Sequence, residues 1–249
     1  MYKRIIPSVL LKNGNAVKGK QFNSWRQACD VISYTKTLSH KKADEICILN
    51  LDRNISSTLI SILSNISSNI SCPLSYGGGI KNSEDIKMLS NLSIDRFIIG
   101  SSCYQAISNN NINSMINLVG SAALSASIDI LEEEGNFYML DHNNNDFIKV
   151  NLIEHVTKLI EIGFSEIIIT SINNDGLMNG VPNIYENILS KIKYQRKIVI
   201  AGGIGKTKDI YNLLKIESVV GIMIGSALIY SRLTISDFHQ FGQLNGLVL

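Results

Sequence analysis

Two glycine turns occupy equivalent places in the two halves of the chain. Segments 74–80 (LSYGGGI) and 199–205 (VIAGGIG) each run from apolar residues into glycines, and a polar stretch with helical spacing follows. A second matched pair, 97–102 and 222–227, again ends an apolar run with Gly-Ser. The copies lie about 125 residues apart, half of the 249-residue chain, as expected of an internal repeat. The pattern therefore predicts two related halves.

Each glycine turn has the composition of an anion site. Glycine lets the backbone approach a ligand closely, and the start of a helix carries partial positive charge. A strand, a glycine turn and a helix start therefore point backbone N–H groups at a bound anion. Four such turns in register predict two phosphate sites, one in each half. Alternatively, the glycines serve only as tight connections.

Apolar runs that are typical of strands recur along the whole chain, and most are separated by segments with helical spacing. Eight strands that alternate with helices predict a closed parallel (β/α)8 TIM barrel. We expect one domain over 1–249, built of half-barrels at about 1–120 and 121–249. The polar run 142–146 is interpreted as part of a hairpin and not as a boundary. The expected strands are 4–11, 45–51, 72–76, 96–101, 122–130, 166–171, 197–201 and 219–225.

The charge balance excludes several classes of function. The net charge is +2 and no basic cluster occurs, so neither nucleic acid nor a membrane surface is an expected partner. No apolar run approaches the length of a membrane-spanning helix. The four cysteines are scattered without the spacing of metal ligands, which predicts reduced thiols and a cytoplasmic location. We expect no metal and no cofactor.

Several short motifs resemble those of the cyclase subunit of imidazole glycerol phosphate synthase. They cover the whole chain in one register and include 17–19 (VKG), 77–80 (GGGI), 127–129 (SID), 170–176 (TSINNDG) and 201–206 (AGGIGK). The resemblance implies a (β/α)8 barrel that binds a small molecule carrying two phosphates, one for each half. It also implies that ammonia enters through the barrel interior from a glutaminase subunit docked at the N-terminal rim.

The resemblance assigns the phosphate contacts to the glycine turns and their neighbours. Where the family usually has Asn-Thr, this chain has Gly100-Ser101, so a side-chain amide donor is missing there while the backbone amides remain. The matching residues are Gly79, Gly100 and Ser101 for one phosphate and Asp175, Gly176, Gly203, Gly225 and Ser226 for the other.

One of the two aspartates that the family uses in cyclase chemistry is absent. Family members carry them at the ends of the first and fifth strands, one as general acid and the other as general base. Asp129 matches the fifth-strand position, but Leu10 stands at the first-strand position, and residues 1–29 contain no Asp or Glu. Leu10 cannot transfer a proton, and the loss of a positioned acid or base typically costs about 10²–10⁴-fold in rate.

Asp52 is the candidate substitute for the lost acid, because it follows the second expected strand and would lie at the same rim. Alternatively, Asp52 is a solvated loop carboxylate or a helix cap. For Asp129 the alternative is a hydrogen-bonded structural acid.

Four charged residues stand at the starts of expected strands. Arg4, Glu45, Arg96 and Glu166 match the salt-bridge gate of the family, which commonly has Lys in place of Arg96. The resemblance places Asp95 beside this gate, at the surface where the glutaminase docks. Alternatively, the four charges only plug the bottom of the barrel.

Three functions remain open. The first is an ammonia-channelling subunit of a diverged branch, which pairs with a glutaminase and supplies amination of a nucleotide-linked sugar in surface-polysaccharide biosynthesis. The second is an ordinary cyclase of histidine biosynthesis, which acts on a phosphoribulosyl precursor and ammonia through Asp129, alone or with Asp52. The third and least favoured is the sister isomerase of that pathway. Leu10 discriminates between them, because both enzymatic hypotheses require an acid at its position.

Overall fold

The computed structural model describes residues 2–100, 111–194 and 197–249, with only the backbone of Asn111. Within these ranges twelve strands join one sheet. The strands are β1 Arg4–Lys12, β2 Asn15–Lys20, β3 Asn23–Cys29, β4 Ile46–Asn50, β5 Leu74–Gly77, β6 Arg96–Ile99, β7 Leu124–Glu133, β8 Asn136–Asp141, β9 Asp146–Val150, β10 Glu166–Ser171, β11 Ile198–Ala201 and β12 Val219–Ile224.

Eight of these strands close into a parallel barrel. From β1 the order is β4, β5, β6, β7, β10, β11 and β12, and β12 pairs with β1 again. Arg4 pairs with Gly221 on one side of β1, and Ser8 pairs with Cys47 on the other. Strands that are covered on both faces are expected to be rich in Val and Ile, and all six residues of β12 are buried. The predicted (β/α)8 TIM barrel is confirmed.

Helices cover the outside of the barrel. Several begin directly after a side chain that accepts a backbone N–H of the first turn, for example Asp30, Ser56 and Thr234. The described helices are α1 Val31–His40, α2 Ser57–Ser67, α3 Ser83–Leu89, α4 Asn111–Val119, α5 Leu152–Glu161, α6 Asn183–Leu189, α7 Tyr211–Lys215, α8 Ser226–Ile229 and α9 Ile235–Leu244.

Strand alternation divides the apolar side chains into two cores. Outward-facing residues such as Ile5 and Val9 join the large core between the sheet and the helices. Inward-facing residues make a second, smaller cluster inside the barrel, which includes Ile6, Cys47 and Ile98. The barrel interior below the C-terminal rim is therefore packed mainly with apolar side chains.

The first and fifth barrel strands each continue into an antiparallel hairpin. β1 pairs with β2 and β2 with β3, while β7 pairs with β8 and β8 with β9. The hairpin predicted around 142–146 is confirmed, with this run joining β8 to β9. The matching hairpin of the first half was not predicted. Both hairpins stand at the C-terminal rim, above the ends of β1 and β7.

The two glycine turns have the same geometry in both halves. Gly78 has φ +104° and Gly202 has φ +89°, a region that side-chain-bearing residues rarely adopt. A Cβ on Gly78 would lie 2.1 Å from the carbonyl oxygen of Asn50, and one on Gly202 would lie 2.5 Å from that of Ser171. Each turn thus folds against the end of the preceding barrel strand, which requires glycine.

Candidate active site

A cavity of about 570 Å³ opens at the C-terminal ends of the barrel strands. It brings together most of the residues singled out in the sequence. The predicted site residues that line it are Leu10, Gly79, Gly100, Asp129, Asp175, Gly176, Gly203, Gly225 and Ser226. Ser101 lies outside the described residues. Active sites of (β/α)8 enzymes occupy this rim, because the loops after the strands converge there.

The glycine turns lie on opposite sides of the cavity. Gly79 and Gly100 follow the neighbouring strands β5 and β6, and Gly203 and Gly225 follow β11 and β12. In an eight-stranded closed order, these two pairs face each other across the barrel. The arrangement can hold two anionic groups of one ligand at its two ends. Among the described lining residues, the cationic side chains are Lys12, Lys18, Arg53 and Lys81.

Lys18 brings a buried ammonium group to the second pair of turns. It lies on β2 of the first hairpin and is 5% exposed. Its Nζ donates to the carbonyl oxygen of Ser8 at 3.3 Å, and a Cβ on Gly225 would fall 2.4 Å from the same nitrogen. Gly225 therefore leaves room for the ammonium beside a turn that was expected to bind phosphate. Sequence reasoning gave Lys18 no such role, because the first hairpin was not predicted.

Two ionisable groups of the cavity have shifted pKa values. Burial lowers the pKa of Lys18 to about 8, against the attraction of Asp175. Burial raises the pKa of Asp175 to about 6; Lys18 lowers it and Asp129 raises it. Both groups can therefore exchange protons near neutral pH, as groups in active sites often do.

Leu10 and Asp52 lie in different environments. Leu10 lines the cavity and pairs with Leu49 of β4 in the barrel. Asp52 is exposed and is not among the residues that line the cavity. Its Oδ2 accepts the backbone N–H of Asn13 at 2.7 Å. The structure therefore places this carboxylate at the loop that joins β1 to β2, in the manner of a loop cap.

Asp129 is bound by a histidine of the second hairpin. Its Oδ2 lies 2.5 Å from Nε2 of His142, and the other ring nitrogen, Nδ1, lies 2.7 Å from Nη2 of Arg53. Arg53 also donates through Nη1 to the carbonyl oxygen of His142 at 2.9 Å. The ring of Phe22 stacks on the imidazole, with centroids 6.0 Å apart and planes 19° apart.

His142 and Arg53 were not expected to belong to the site. A signal for His142 did exist: in the antiparallel register of β7 and β8, Ile130 pairs with Met139, so residue 142 lies diagonally across from residue 129. The sequence indicated this hairpin but not its register. Arg53 has φ +53° in the loop after β4, and no sequence pattern predicted its direction.

A closed ring of charges lies at the opposite, N-terminal mouth of the barrel. Arg4 contacts Glu45 at 2.5 Å and Glu166 at 2.6 Å. Arg96 contacts the same two carboxylates at 3.7 Å and 3.6 Å. Burial alone would lower the pKa of Arg4, but Glu166 and Glu45 raise it, and the net direction is upward. The structure thus brings the four predicted gate residues together.

Two further contacts define this mouth. Nη1 of Arg96 donates to Oγ of Ser165 at 3.1 Å and to the carbonyl oxygen of Ala122 at 3.2 Å. Asp95, next to Arg96, is exposed at the same rim, and its Oδ2 accepts the backbone N–H of Leu74 at 2.8 Å. The ring is therefore anchored to two loops on one side of the mouth.

A family model described as "Histidine biosynthesis protein" matches residues 4–234. The chain belongs to this family. An imidazole-4-carboxamide isomerase of Buchnera aphidicola is 30% identical over 94% of this chain and 96% of that protein. The imidazole glycerol phosphate synthase subunit HisF of Flavobacterium johnsoniae is 29% identical over 98% and 97%. The subunit HisF of Natranaerobius thermophilus is 26% identical over 96% and 95%.

These similarities confirm the prediction that the chain is a HisF-like member of the histidine biosynthesis protein family. Members named as isomerase and as synthase subunit both match over nearly the full barrel, so the family alone does not select between their activities. In the described part of this HisF-like chain, no helix has both the length and the apolar character needed to span a membrane. Nor do three or more His, Cys, Asp or Glu side chains of that part gather in a metal-ligand cluster.

Proposed function

We propose that this HisF-like protein conducts ammonia from a glutaminase subunit through its barrel to the C-terminal rim, where a phosphorylated ligand binds. The observation that carries the proposal is the closed ring of Arg4, Glu45, Arg96 and Glu166 at the N-terminal mouth. A buried ring of charges stabilises a fold less than well-packed apolar side chains would, so its presence argues for a function at this mouth.

The barrel interior above the ring favours passage of a neutral molecule over passage of an ion. The inward-facing cluster of Ile6, Cys47, Ile98 and their neighbours separates the ring from the cavity. An ammonium ion would lose its hydration there at a cost of several kcal/mol, whereas neutral ammonia would lose much less. The ring and the apolar interior together fit the entry of ammonia in its neutral form.

The cavity fits an anionic small molecule with phosphate at one or both ends. Two pairs of glycine turns face each other, and Lys18 lies buried beside Gly225. Phosphate groups bind well where backbone N–H groups and a cation converge. The phosphate-binding roles of Gly79, Gly100, Ser101, Asp175, Gly176, Gly203, Gly225 and Ser226 belong to this proposal.

The identity of Leu10 indicates that the ammonia is used outside this cavity. A hydrocarbon at the first-strand position cannot supply the proton transfer that cyclase chemistry requires of that position. The ammonia is therefore passed on for amination elsewhere, and the resemblance to diverged family branches points to a nucleotide-linked sugar of surface-polysaccharide biosynthesis. The glutaminase would dock on the N-terminal rim around the exposed Asp95. The relatives named HisF are described as synthase subunits, which agrees with a partner protein.

A second candidate is the cyclase of histidine biosynthesis. One observation favours it: Asp129 and Asp175 line the same cavity, and the pKa of Asp175 is raised to about 6 by burial. Two carboxyl groups in different environments can divide the roles of acid and base. The isomerase is the third candidate, and the ring at the N-terminal mouth has no evident use in a reaction without ammonia.

The proposal is tested by co-expression with the glutaminase encoded in the same genome. We expect a 1:1 complex on size exclusion and glutamine hydrolysis that rises when the two proteins bind. Asp95→Lys should abolish the complex, whereas Asp146→Lys, on the exposed second hairpin at the other rim, should leave it intact. A glutaminase whose activity and elution are indifferent to the barrel would contradict the proposal.

A further inference from the structure

The inner face of β7 is polar at three successive inward-facing positions. Ser125, Ser127 and Asp129 stand at every second residue of this strand and therefore share one face. Ala126 and Ile128, which alternate with them, belong to the large core outside the barrel. The three polar residues therefore face the barrel interior, where the remaining side chains below the cavity are mainly apolar.

This polar face runs from the ring of charges to the cavity. Ser125 pairs with Glu166, a member of the ring, in the parallel register of β7 and β10. Ser127 and Asp129 line the cavity at the other end. Because Ser125 precedes Ser127 on the same face, its hydroxyl group lies between the ring and the cavity floor. One strand thus carries a polar side chain at each level between the two ends of the barrel.

The hydroxyl group of Ser125 is buried without a partner. The residue is 0% exposed, and within the described ranges no donor or acceptor lies in hydrogen-bonding reach of its Oγ. A buried hydroxyl group that makes no hydrogen bond destabilises a fold, so an unsatisfied one in a native protein requires an explanation. A small molecule that forms hydrogen bonds inside the barrel supplies one.

Arg96 supplies a second unsatisfied group on the neighbouring strand. Its Nε is buried and finds no hydrogen-bond partner in the part of the chain that the structure describes. Oε1 of Glu45 lies 3.7 Å from this nitrogen, which is too far for a hydrogen bond. Ile98, two residues after Arg96 on the same face of β6, pairs with Ser125 of β7. The two unsatisfied groups therefore face the interior from adjacent strands, beside the ring.

These two groups match the hydrogen bonds that neutral ammonia can form. Ammonia accepts a hydrogen bond through its lone pair and donates through its N–H groups. A serine hydroxyl group both donates and accepts, whereas a guanidinium only donates. An ammonium ion has no lone pair to accept from Arg96, and the positive charge of Arg96 repels it. The pair of groups therefore favours ammonia over ammonium.

We infer that Ser125 and Arg96 bind one molecule of neutral ammonia between the ring and the cavity. The inference rests on the proposed function and names the residues that hold ammonia inside the barrel. Ser127, the next residue on the same face, receives the molecule as it moves on to the cavity floor. No covalent bond forms or breaks at this site, and the ammonia stays neutral.

The site is tested by neutron diffraction, which separates ammonia from water by the number of bound deuterium atoms. Crystals soaked in deuterated ammonium chloride at mildly alkaline pD should show one ND₃ at about 3 Å from Oγ of Ser125. Crystals of Ser125→Ala should lack it, and those of Ser125→Thr, which keeps the hydroxyl group, should retain it. An empty site, D₂O with and without the ammonium salt, or an ND₄⁺ ion would overturn the inference.

A stability measurement tests whether the hydroxyl group of Ser125 lacks an internal partner. The control is Ser218, which is 2% exposed and whose Oγ donates to the carbonyl oxygen of Leu189 at 2.9 Å. Ser218→Ala should lower the urea midpoint of unfolding, because it removes a hydrogen bond. Ser125→Ala, in buffer without ammonium, should leave the midpoint unchanged or raise it. An equal decrease in both variants would overturn the inference, because it would assign Ser125 a structural hydrogen bond.

The outcomes separate this inference from the proposed function. Ser125 lies inside the barrel, so Ser125→Ala should leave the complex with the glutaminase intact. A complex that forms while ND₃ is absent from Ser125 would overturn only the ammonia site. Bound ND₃ in a protein that forms no such complex would support the site and contradict the proposed function.

Discussion

The guanidinium of Arg4 and the carboxylate of Glu45 meet at 2.5 Å across the N-terminal mouth of the barrel. Their side chains are 15% and 6% exposed, so the pair is largely withdrawn from water. Arg4 is the first residue of β1, and Glu45 directly precedes β4, its neighbour in the barrel. The same carboxylate also contacts Arg96, so Glu45 holds two cations of the ring.

Removal of the Glu45 charge should destabilise the protein and disturb ammonia entry. Glu45→Gln leaves Arg4 and Arg96 with one carboxylate between them, and breaking a buried pair in this way costs about 3–5 kcal/mol. Urea unfolding measures the loss. The rate of amination with glutamine as the nitrogen source should fall further than the rate with added ammonium salt, because only the former requires passage of ammonia through the ring. The control is Glu84→Gln in the exposed pair with Lys87, whose effect should stay within about 0.5 kcal/mol. Equal effects of the two variants would show that the ring has no special role.

A methyl group on Gly225 should weaken phosphate binding through Lys18. Gly225→Ala requires no left-handed backbone, since Gly225 has φ −111°, but its Cβ would displace Nζ of Lys18 from a distance of 2.4 Å. Loss of this charged contact should raise the dissociation constant for inorganic phosphate by about 10-fold, which corresponds to about 1.4 kcal/mol. Isothermal calorimetry measures it. In a Lys18→Ala background the same change should add little, and full additivity would contradict the mechanism.

Ionisation of Asp175 should oppose folding near neutral pH. The pKa of Asp175 is raised to about 6, so the folded protein binds this proton more tightly than the unfolded chain does. The free energy of unfolding should therefore decrease as the pH rises from about 4 to about 6, by up to about 1.36 kcal/mol for each pH unit between the ordinary pKa and the raised one. Asp175→Asn removes this titration. Its free energy of unfolding, measured relative to that of the unaltered protein, should therefore be higher at pH 7 than at pH 4.5. The gain at pH 7 is reduced by loss of the attraction between Asp175 and Lys18.

Denaturant unfolding at the two pH values checks this expectation. The exposed Asp146→Asn on the second hairpin is the control and should change stability by less than about 0.5 kcal/mol at either pH. A difference between Asp175→Asn and the unaltered protein that is the same at pH 4.5 and pH 7 would show that the carboxyl group titrates normally.

The barrel could be predicted because its strands carry their own signal. Parallel strands covered on both faces read as short apolar runs, and Glu166–Ser171 has the expected bounds while others differ by one to three residues. The glycine turns, as at Gly78 and Gly202, could be predicted to follow these strands, because positive φ and close backbone approach leave only glycine. The ring of four charges was predicted because its members stand at strand starts and match the gate of the family that the chain resembles.

The contacts of the cavity could not be predicted in the same way. The pairing register of the first hairpin shifts around Val17 and Lys18. These shifts break the alternation of inward-facing and outward-facing residues, so the sequence pattern predicts a surface lysine at position 18. His142 lies in a polar run in which the sequence marks a turn but not the register that brings its ring to Asp129. Both contacts depend on how a hairpin bends over the barrel, which is set by tertiary packing.

In the proposed function the barrel delivers ammonia and does not close the imidazole ring, because Leu10 holds the position of a required acid. The most direct measurement is the turnover of the phosphoribulosyl precursor with added ammonium salt by the unaltered protein, by Leu10→Asp and by Leu10→Asn. Leu10→Asn is the control, because Asn has nearly the size of Asp but does not act as an acid. We expect turnover only in Leu10→Asp, at least about 100-fold above the other two. Turnover by the unaltered protein equal to that of Leu10→Asp would contradict it.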